Sequence, residues 1–409
     1  MRVPTLIFAT AIVCVNCLGQ TKQPNDAQSK QDLSEPARIV DIQADYPGGN
    51  INVESNDGKT VDLSPRLDGG RNWFYWNFEA IAERAGEVAF VFPEKVAGFE
   101  NGAVGFQGPA ISTDQGVSWR WMGNNTALVR GRSFTYTFSD PGERVRFAVT
   151  LPYTESNWQA FLQDHQANRH LQTRVLTQSR QGRDVELVQI GRAGPGKIAM
   201  LVTARHHATE TIASFVLEGM LAAAMSDDPV GVEFRQRFVL YAVPFVDKDG
   251  VERGDQGKGR TPHDHNRDYG EKSIYPEVQA IMELGEEQQI GASLDLHCPT
   301  LVMDDHQLMY FVGPSDVPTN NAAIVDRFAK AIKEELPDGA PFGPLVWLKP
   351  IDDEKRTMNS GYFASRPGCL TASTLEIPFA PSKASMDQPS LDAYGWAVLR
   401  AWNQLDLQN

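Results

Sequence analysis

Between about residues 37 and 153 the chain runs in short apolar bursts separated by Gly, Asn, Asp and Pro. RIVDIQ, WFYWNFEA, EVAFVF, SFTYTF and RVRFAVTL are each of strand length. Repeated short strands with turn signals predict an antiparallel sandwich or barrel. Within FTYTF the aromatic residues alternate with threonine, the period of a sheet with one buried face. The aromatic run at 73–78 reads either as a ligand platform or as core, and core is the stronger reading.

After residue 153 the texture changes. A helical pattern near 156–168 is followed by apolar strands alternating with longer helical patterns, which predicts an α/β domain. The strands are VELVQIG, IAMLVTA at 198–204, RFVLYAV at 237–243, ASLDLH at 292–297 and LTASTLEI at 370–377. The helices are 210–225, 276–288, 321–336 and 390–405. The expected organisation is a β-sandwich over 37–153 and an α/β domain over 154–409.

The first residues read differently. Arg2 precedes an apolar run over 3–15, and small or turn-forming residues follow up to Gly19, which together predict a secretory signal over 1–19 and an exported protein, periplasmic or extracellular. Cys17 as a lipid anchor is the competing reading, and the Cys-Val-Asn before it departs from the small residues expected there. Residues 20–36 are polar and offer too little burial to offset ordering entropy, which predicts a flexible leader.

A length of 409 residues favours two domains, and 41% hydrophobic residues suffice for a large core. No stretch after the signal reaches the roughly 20 apolar residues that span a bilayer. A formal charge of −14 argues against nucleic acid, which is bound by concentrated Lys and Arg. Without the signal only Cys298 and Cys369 remain, a number that permits one disulfide but no disulfide scaffold.

Chemistry concentrates where apolar strands end. LVTARHHATE (201–210) and ASLDLHC (292–298) both deliver histidine to such an edge, where binding sites of α/β folds gather. A catalytic zinc ion takes three protein ligands and leaves a position for water, and two histidines with one glutamate form a common set. His207 and Glu210 have the spacing His-x-x-Glu, with His297 about ninety residues downstream. The short pair alone is weak evidence, because it also arises by chance in surface loops.

Read together with VPFVDKDGVERGDQGKGRTPHDHNRDYG (243–270), the pattern resembles the zinc carboxypeptidases of the carboxypeptidase A type. Five elements stand in that family's order: His207 with Glu210, the turn DKDGV at 247–251, Asn266-Arg267, His297, and Glu376 in STLEIP. The resemblance covers roughly 185–401, and RNWFYWNFEA resembles the β-sandwich that precedes the catalytic domain in the cytosolic carboxypeptidase subgroup. It implies a mixed sheet with helices on both faces, one zinc ion per chain on His207, Glu210 and His297, and a peptide substrate with a free carboxylate.

The resemblance also implies roles. Glu376 is the general base toward a water whose pKa zinc lowers from near 16 to about 7. Arg267 clamps the terminal carboxylate with its planar fork, and Asn266 donates to the same group. A further arginine polarises the carbonyl in the relatives, but ungapped spacing puts Gly257 at its position; Arg260 is preferred for its fork geometry, with Lys258 the alternative. Tyr362 in NSGYFASRPG is the candidate for the family's mobile tyrosine, with an ordinary loop tyrosine as the competing reading.

Neighbouring residues receive lesser expectations. His263 and His265 around Asp264 read as hydrogen-bonding partners near Arg267 rather than a second metal site. Asp295 is either structural or a partner that orients a ligand. His206 has no partner at the family spacing, so it is expected either to face solvent or to support the ligands from behind, and its replacement should leave zinc binding largely intact. Cys298 neighbours a ligand but should point away from it. The leading expectation is an exported zinc metallocarboxypeptidase. The alternatives are a zinc amidohydrolase or deacylase of similar fold, acting on an acylated amino acid or a cell-wall peptide, and a non-catalytic binding protein. No Gly-x-Ser-x-Gly elbow supports a serine hydrolase.

Overall fold

The computed structural model describes residues 38–69, 73–93, 103–123, 131–301, 307–314, 319–343, 345–348, 358–379, 381, 384 and 386–407. The expectations for the signal, Cys17 and the leader lie outside these residues.

Among the described residues nine strands come first: β1 (Val40–Gln43), β2 (Asn52–Asn56), β3 (Thr60–Ser64), β4 (Asn77–Ala82), β5 (Gly86–Val91), β6 (Ala110–Ser112), β7 (Arg120–Trp121), β8 (Ser133–Phe138) and β9 (Arg144–Ala148). They form a five-stranded sheet, β1-β4-β9-β6-β7, and a four-stranded sheet, β2-β3-β5-β8. Every pairing is antiparallel except β3 with β5, a departure from a purely antiparallel sandwich that arises because β4, between them in sequence, lies in the other sheet. The facing surfaces are aromatic: Phe78 and Phe147 of the first sheet meet Phe90 of the second at centroid distances of 5.4 and 5.3 Å. Trp76 is fully buried among them and donates to Ala103 O at 2.8 Å. The 73–78 run is therefore mostly core, with Trp73 the half-buried exception.

The second part contains α1 (Glu155–His165), β10 (Leu171–Gln178), β11 (Asp184–Ile190), β12 (Ile198–Ala204), α2 (Ile212–Met225), α3 (Pro229–Arg237), β13 (Phe238–Val243), α4 (Lys248–Arg253), α5 (Pro276–Glu287), β14 (Ala292–His297), β15 (Tyr310–Pro314), α6 (Thr319–Glu335), β16 (Val346–Leu348), α7 (Asn359–Ala364), β17 (Thr371–Glu376) and α8 (Gln388–Asn403). Its eight strands among the described residues run in the order β10-β11-β13-β12-β14-β17-β15-β16, and the central four, β13, β12, β14 and β17, are mutually parallel. Parallel strands covered on both faces read as unbroken apolar runs. Met200 and Val202 of β12 pack in the core shared with α2, α6 and α8, whereas Leu201 packs in the core shared with α5 and α7. No helix among the described residues is long and apolar enough to cross a membrane.

From β12 the chain crosses to β13 on one side, then returns past β12 to β14 on the other. This reversal opens a crevice at the carboxyl ends of β12 and β14, where ligands bind in open α/β sheets. The two parts of the molecule share one hydrophobic cluster, and Tyr153 stands at their junction. Its ring meets Phe215 of α2 edge-on at 5.0 Å, and its hydroxyl donates to buried Glu218 at 2.5 Å.

Burial pushes the Glu218 carboxyl up from 4.5 to about 7 against the Tyr153 hydrogen bond, with Asp392 and Asp164 adding to the rise. A folded-state pKa above the unfolded one gives a contribution that is complete below about 4.5 and lost as pH rises through about 7. Urea-unfolding midpoints should therefore fall across this window, and Glu218→Gln should flatten that slope.

Candidate metal centre

The turn after β12 sets the geometry. Arg205 takes the left-handed conformation, φ 62°, uncommon outside glycine and costly without compensation. Its fully buried guanidinium supplies that compensation by donating to Ala208 O at 3.1 Å, Tyr153 O at 2.9 Å and Ser214 Oγ at 3.1 Å. Its carbonyl accepts from Asp247 N at 2.8 Å, tying the turn to the N-cap of α4. The two histidines that follow then have different partners.

His207 Nδ1 lies 2.9 Å from Glu210 Oε1, His297 Nδ1 lies 2.7 Å from Glu210 Oε2, and the two Nδ1 atoms are 3.2 Å apart. All three residues are buried. Ligands about 2.0 Å from a tetrahedral zinc stand about 3.3 Å from each other, so this donor set has the size and chemistry of a zinc site. Nitrogens this close confront lone pairs or protons, a conflict that a divalent cation removes. Burial raises the Glu210 carboxyl, but His207, Lys258 and His297 outweigh it and hold the pKa well below the usual range, so Glu210 stays anionic.

Asp295 selects which His297 nitrogen faces the cluster. Its Oδ2 accepts from His297 Nε2 at 2.7 Å, leaving Nδ1 to present its lone pair. Its Oδ1 lies 2.8 Å from both His206 Nδ1 and Thr203 Oγ1. His206 Nε2 in turn meets Tyr269 OH at 2.7 Å, and Asn359 Nδ2 donates to the same hydroxyl at 2.9 Å. His206 is thus not solvent-facing: it is fully buried and held between Asp295 and Tyr269. It also belongs to a second group of metal-binding type, His206, Asp295 and His297, but there Asp295 is already engaged by Thr203.

Glu376 ends β17 in direct register with His297 at the end of β14. Its Oε2 is shielded and without a hydrogen-bond partner among the described residues. Burial raises its pKa, opposed by His297 and Lys258 and assisted by Glu210. Lys258 Nζ lies 2.8 Å from Glu210 Oε1 and 4.8 Å from the Trp73 ring centroid. Burial lowers its pKa, but Glu210 and Glu376 reverse the effect and raise it, so the ammonium persists.

Arg260 does not reach this cluster. Its nitrogens pair with Asp68 at 2.7 Å, Asp247 at 2.7 Å and Asp255 at 3.0 Å, which engages the fork in binding loops together. Tyr362 is also placed elsewhere. It sits in α7, 5.6 Å from the Tyr269 ring and beneath the Arg366 guanidinium, lining a cavity of about 520 Å³ with Met282 and Glu286. Asn266 and Arg267 lie in a 3₁₀ turn, His265–Arg267. Asn266 Nδ2 stands 3.3 Å from His297 Nε2, and its Oδ1 accepts from Asn359 N at 3.2 Å. The Arg267 guanidinium donates to Asn266 O at 3.3 Å, its one hydrogen bond among the described residues.

His263 bonds Asp268 at 2.5 Å, and His265 stacks on Tyr275 at 3.7 Å. Neither belongs to a metal-binding group among the described residues. Asp264, between them, has its Oδ1 3.8 Å from His207 Nε2. Cys298 and Cys369 are both free, and Cys298 is outside the metal-binding groups. Sequence reasoning missed Arg205, Tyr269 and Asn359; the first breaks no pattern, and the other two act across 63 and 90 residues.

Residues 158–340 match the model of a family described as zinc carboxypeptidase. Among curated proteins, cytosolic carboxypeptidase 2 of Xenopus tropicalis is 32% identical over 176 residues, 38% of this chain and 18% of that protein. Cytosolic carboxypeptidase 6 of Caenorhabditis elegans is 24% identical over 269 residues, 59% of this chain and 57% of that protein. The chain thus spans less than two thirds of the length of either relative. A metallo-carboxypeptidase from Burkholderia cenocepacia shares the fold with a TM-score of 0.74 at 22% identity, covering 89% of this chain and 98% of the other.

The geometry revises the expectation for His206. His207→Ala should abolish tight zinc binding, and His206→Ala, which removes a partner of Asp295, should weaken it by about 10- to 100-fold. Competition with a chromogenic chelator measures both. Wild-type affinity in His206→Ala would mean that Asp295 holds His297 unaided.

Proposed function

The chain belongs to the zinc carboxypeptidase family, and from that premise we propose that it is an exported metallocarboxypeptidase that removes C-terminal residues from peptides. The observation that carries this reading is Glu376, with its unpartnered Oε2, in register beside His297 of the His207–Glu210–His297 cluster. Export is supported by Arg2 and the apolar run at 3–15.

A zinc ion on His207, Glu210 and His297 would supply Lewis acidity, polarising a carbonyl and acidifying a water. Glu376 accepts the proton of the attacking water and delivers it to the leaving amine. Its burial suits it to this task, because a raised pKa strengthens the base and eases return of the proton. Lys258, the alternative to Arg260 in the sequence and held protonated beside Glu210, takes the role for which Arg260 was preferred and stabilises negative charge developing on the carbonyl oxygen. Arg267 keeps most of its donors available for the terminal carboxylate, which makes the reaction an exopeptidase cleavage.

Digestion of a defined peptide mixture by the zinc-loaded protein, read by mass spectrometry, tests this. Stepwise loss from C-termini is expected. Glu376→Gln should slow it by about 10²- to 10⁴-fold with zinc content unchanged. Internal cleavage, release of acyl groups only, or full activity in that variant would overturn the reading.

A further inference from the structure

We propose that the N-terminal β layer forms part of the reaction site, with Asp68 as the positioning residue for Lys258. The role of Lys258 in turnover rests on the carboxypeptidase reading; its placement by Asp68 does not.

A lysine ammonium is a point charge on a flexible four-carbon stem, so something must confine it if it is to act at one place. The 255–260 loop has no regular secondary structure to do so. Asp68 brackets the lysine instead. Its Oδ1 accepts from Gln256 N at 2.7 Å, and its Oδ2 accepts from Gly257 N at 3.2 Å on one side of Lys258 and from Arg260 Nε at 2.7 Å on the other.

Three further contacts narrow the choice. The Gln256 side chain is held by Tyr75, accepting from Tyr75 N at 2.7 Å and donating to Tyr75 O at 2.8 Å. Gly69 lets the layers touch, because a Cβ there would stand 2.8 Å from the carbonyl oxygens of Lys258 and Gly259. Gly257, at φ 77°, brings the loop against the metal-binding turn, where a Cβ would meet Ala208 N at 2.3 Å. The ammonium then rests between the Trp73 ring and Glu210. The β layer therefore supplies both the clamp on the loop and the aromatic face under the charge.

The test is a double-mutant cycle on the full chain with Asp68→Asn, Lys258→Ala and the pair, read by zinc affinity and by steady-state kinetics on a peptide substrate. Asp68→Asn keeps the side-chain shape but turns an amide toward donors that need an acceptor. Lys258 pairs with a zinc ligand and repels the cation, so Lys258→Ala should tighten zinc binding at least fivefold. Asp68→Asn should tighten it in the same direction, and in the Lys258→Ala background it should add less than twofold.

The kinetic arm should show kcat reduced about 10- to 100-fold in Asp68→Asn with KM changed less than threefold, and the double variant no slower than Lys258→Ala. If Asp68→Asn fails to fold, Trp73→Leu replaces it in the same cycle. Additive effects on zinc affinity, or an Asp68→Asn protein with wild-type affinity and kcat, would overturn the proposal. Coupled zinc affinities in a chain without peptidase activity would uphold the placement while refuting the carboxypeptidase reading.

Discussion

Two imidazole nitrogens 3.2 Å apart, with one carboxylate against both, form an arrangement that side chains hold together only at a cost. The rest of the carboxyl edge is organised to bear that cost. Burial removes the water that would otherwise separate the groups, and unpaired charge in such surroundings is expensive. Asp295 fixes one imidazole from behind, and His206, Thr203 and Tyr269 form the chain of partners that holds it. The left-handed backbone at Arg205 makes this possible by sending consecutive histidines to different partners, and the buried guanidinium on the same residue keeps the turn closed.

The same surroundings divide two glutamates that lie close together. Glu210 is flanked by His207, Lys258 and His297, whose attraction exceeds its desolvation, so it remains ionised. Glu376 is dominated by desolvation and holds its proton more tightly. Carboxyl groups whose environments push their proton affinities apart are suited to different tasks, in the proposed reaction ligation and proton transfer. Lys258 couples them, since its charge is sustained by both.

Much of this was legible along the chain, and the legible part is the local part. Buried parallel strands announce themselves as unbroken apolar runs, so β12, β13, β14 and β17 fall where their sequences put them. β10, LQTRVLTQ, carries mostly exposed side chains at a sheet edge and has no such signature. The helix expected over 210–225 begins only at Ile212, because Glu210 is still in the metal-binding turn. In WFYWNFEA the strand begins at Asn77, although Phe74, Tyr75 and Trp76 before it are buried. The site divides the same way. His207 and Glu210 are three residues apart, and His297 is marked by its strand end, so all three could be read in advance. Arg260 and Tyr362 were chosen for residue type and proximity in sequence. The first is consumed by three carboxylates, one of them 192 residues away, and the second belongs to the packing between α5 and α7. Lys258 could be distinguished from Arg260 only by knowing what each touches.

The hydrogen bond from Gln256 to Asp68 spans 188 residues, and the one from Gln256 to Tyr75 spans 181. The metal-binding residues are separated by at most 90. Distant contacts close larger loops and are made at greater entropic cost. A folding chain can therefore assemble its metal cluster within the α/β part while the lysine loop is still unanchored. On the proposed reading, hydrolytic competence is linked to docking of the β layer, so a nascent or partly unfolded chain holds the metal-binding residues without the full charge arrangement around them, a safeguard for a peptidase that is itself a peptide chain.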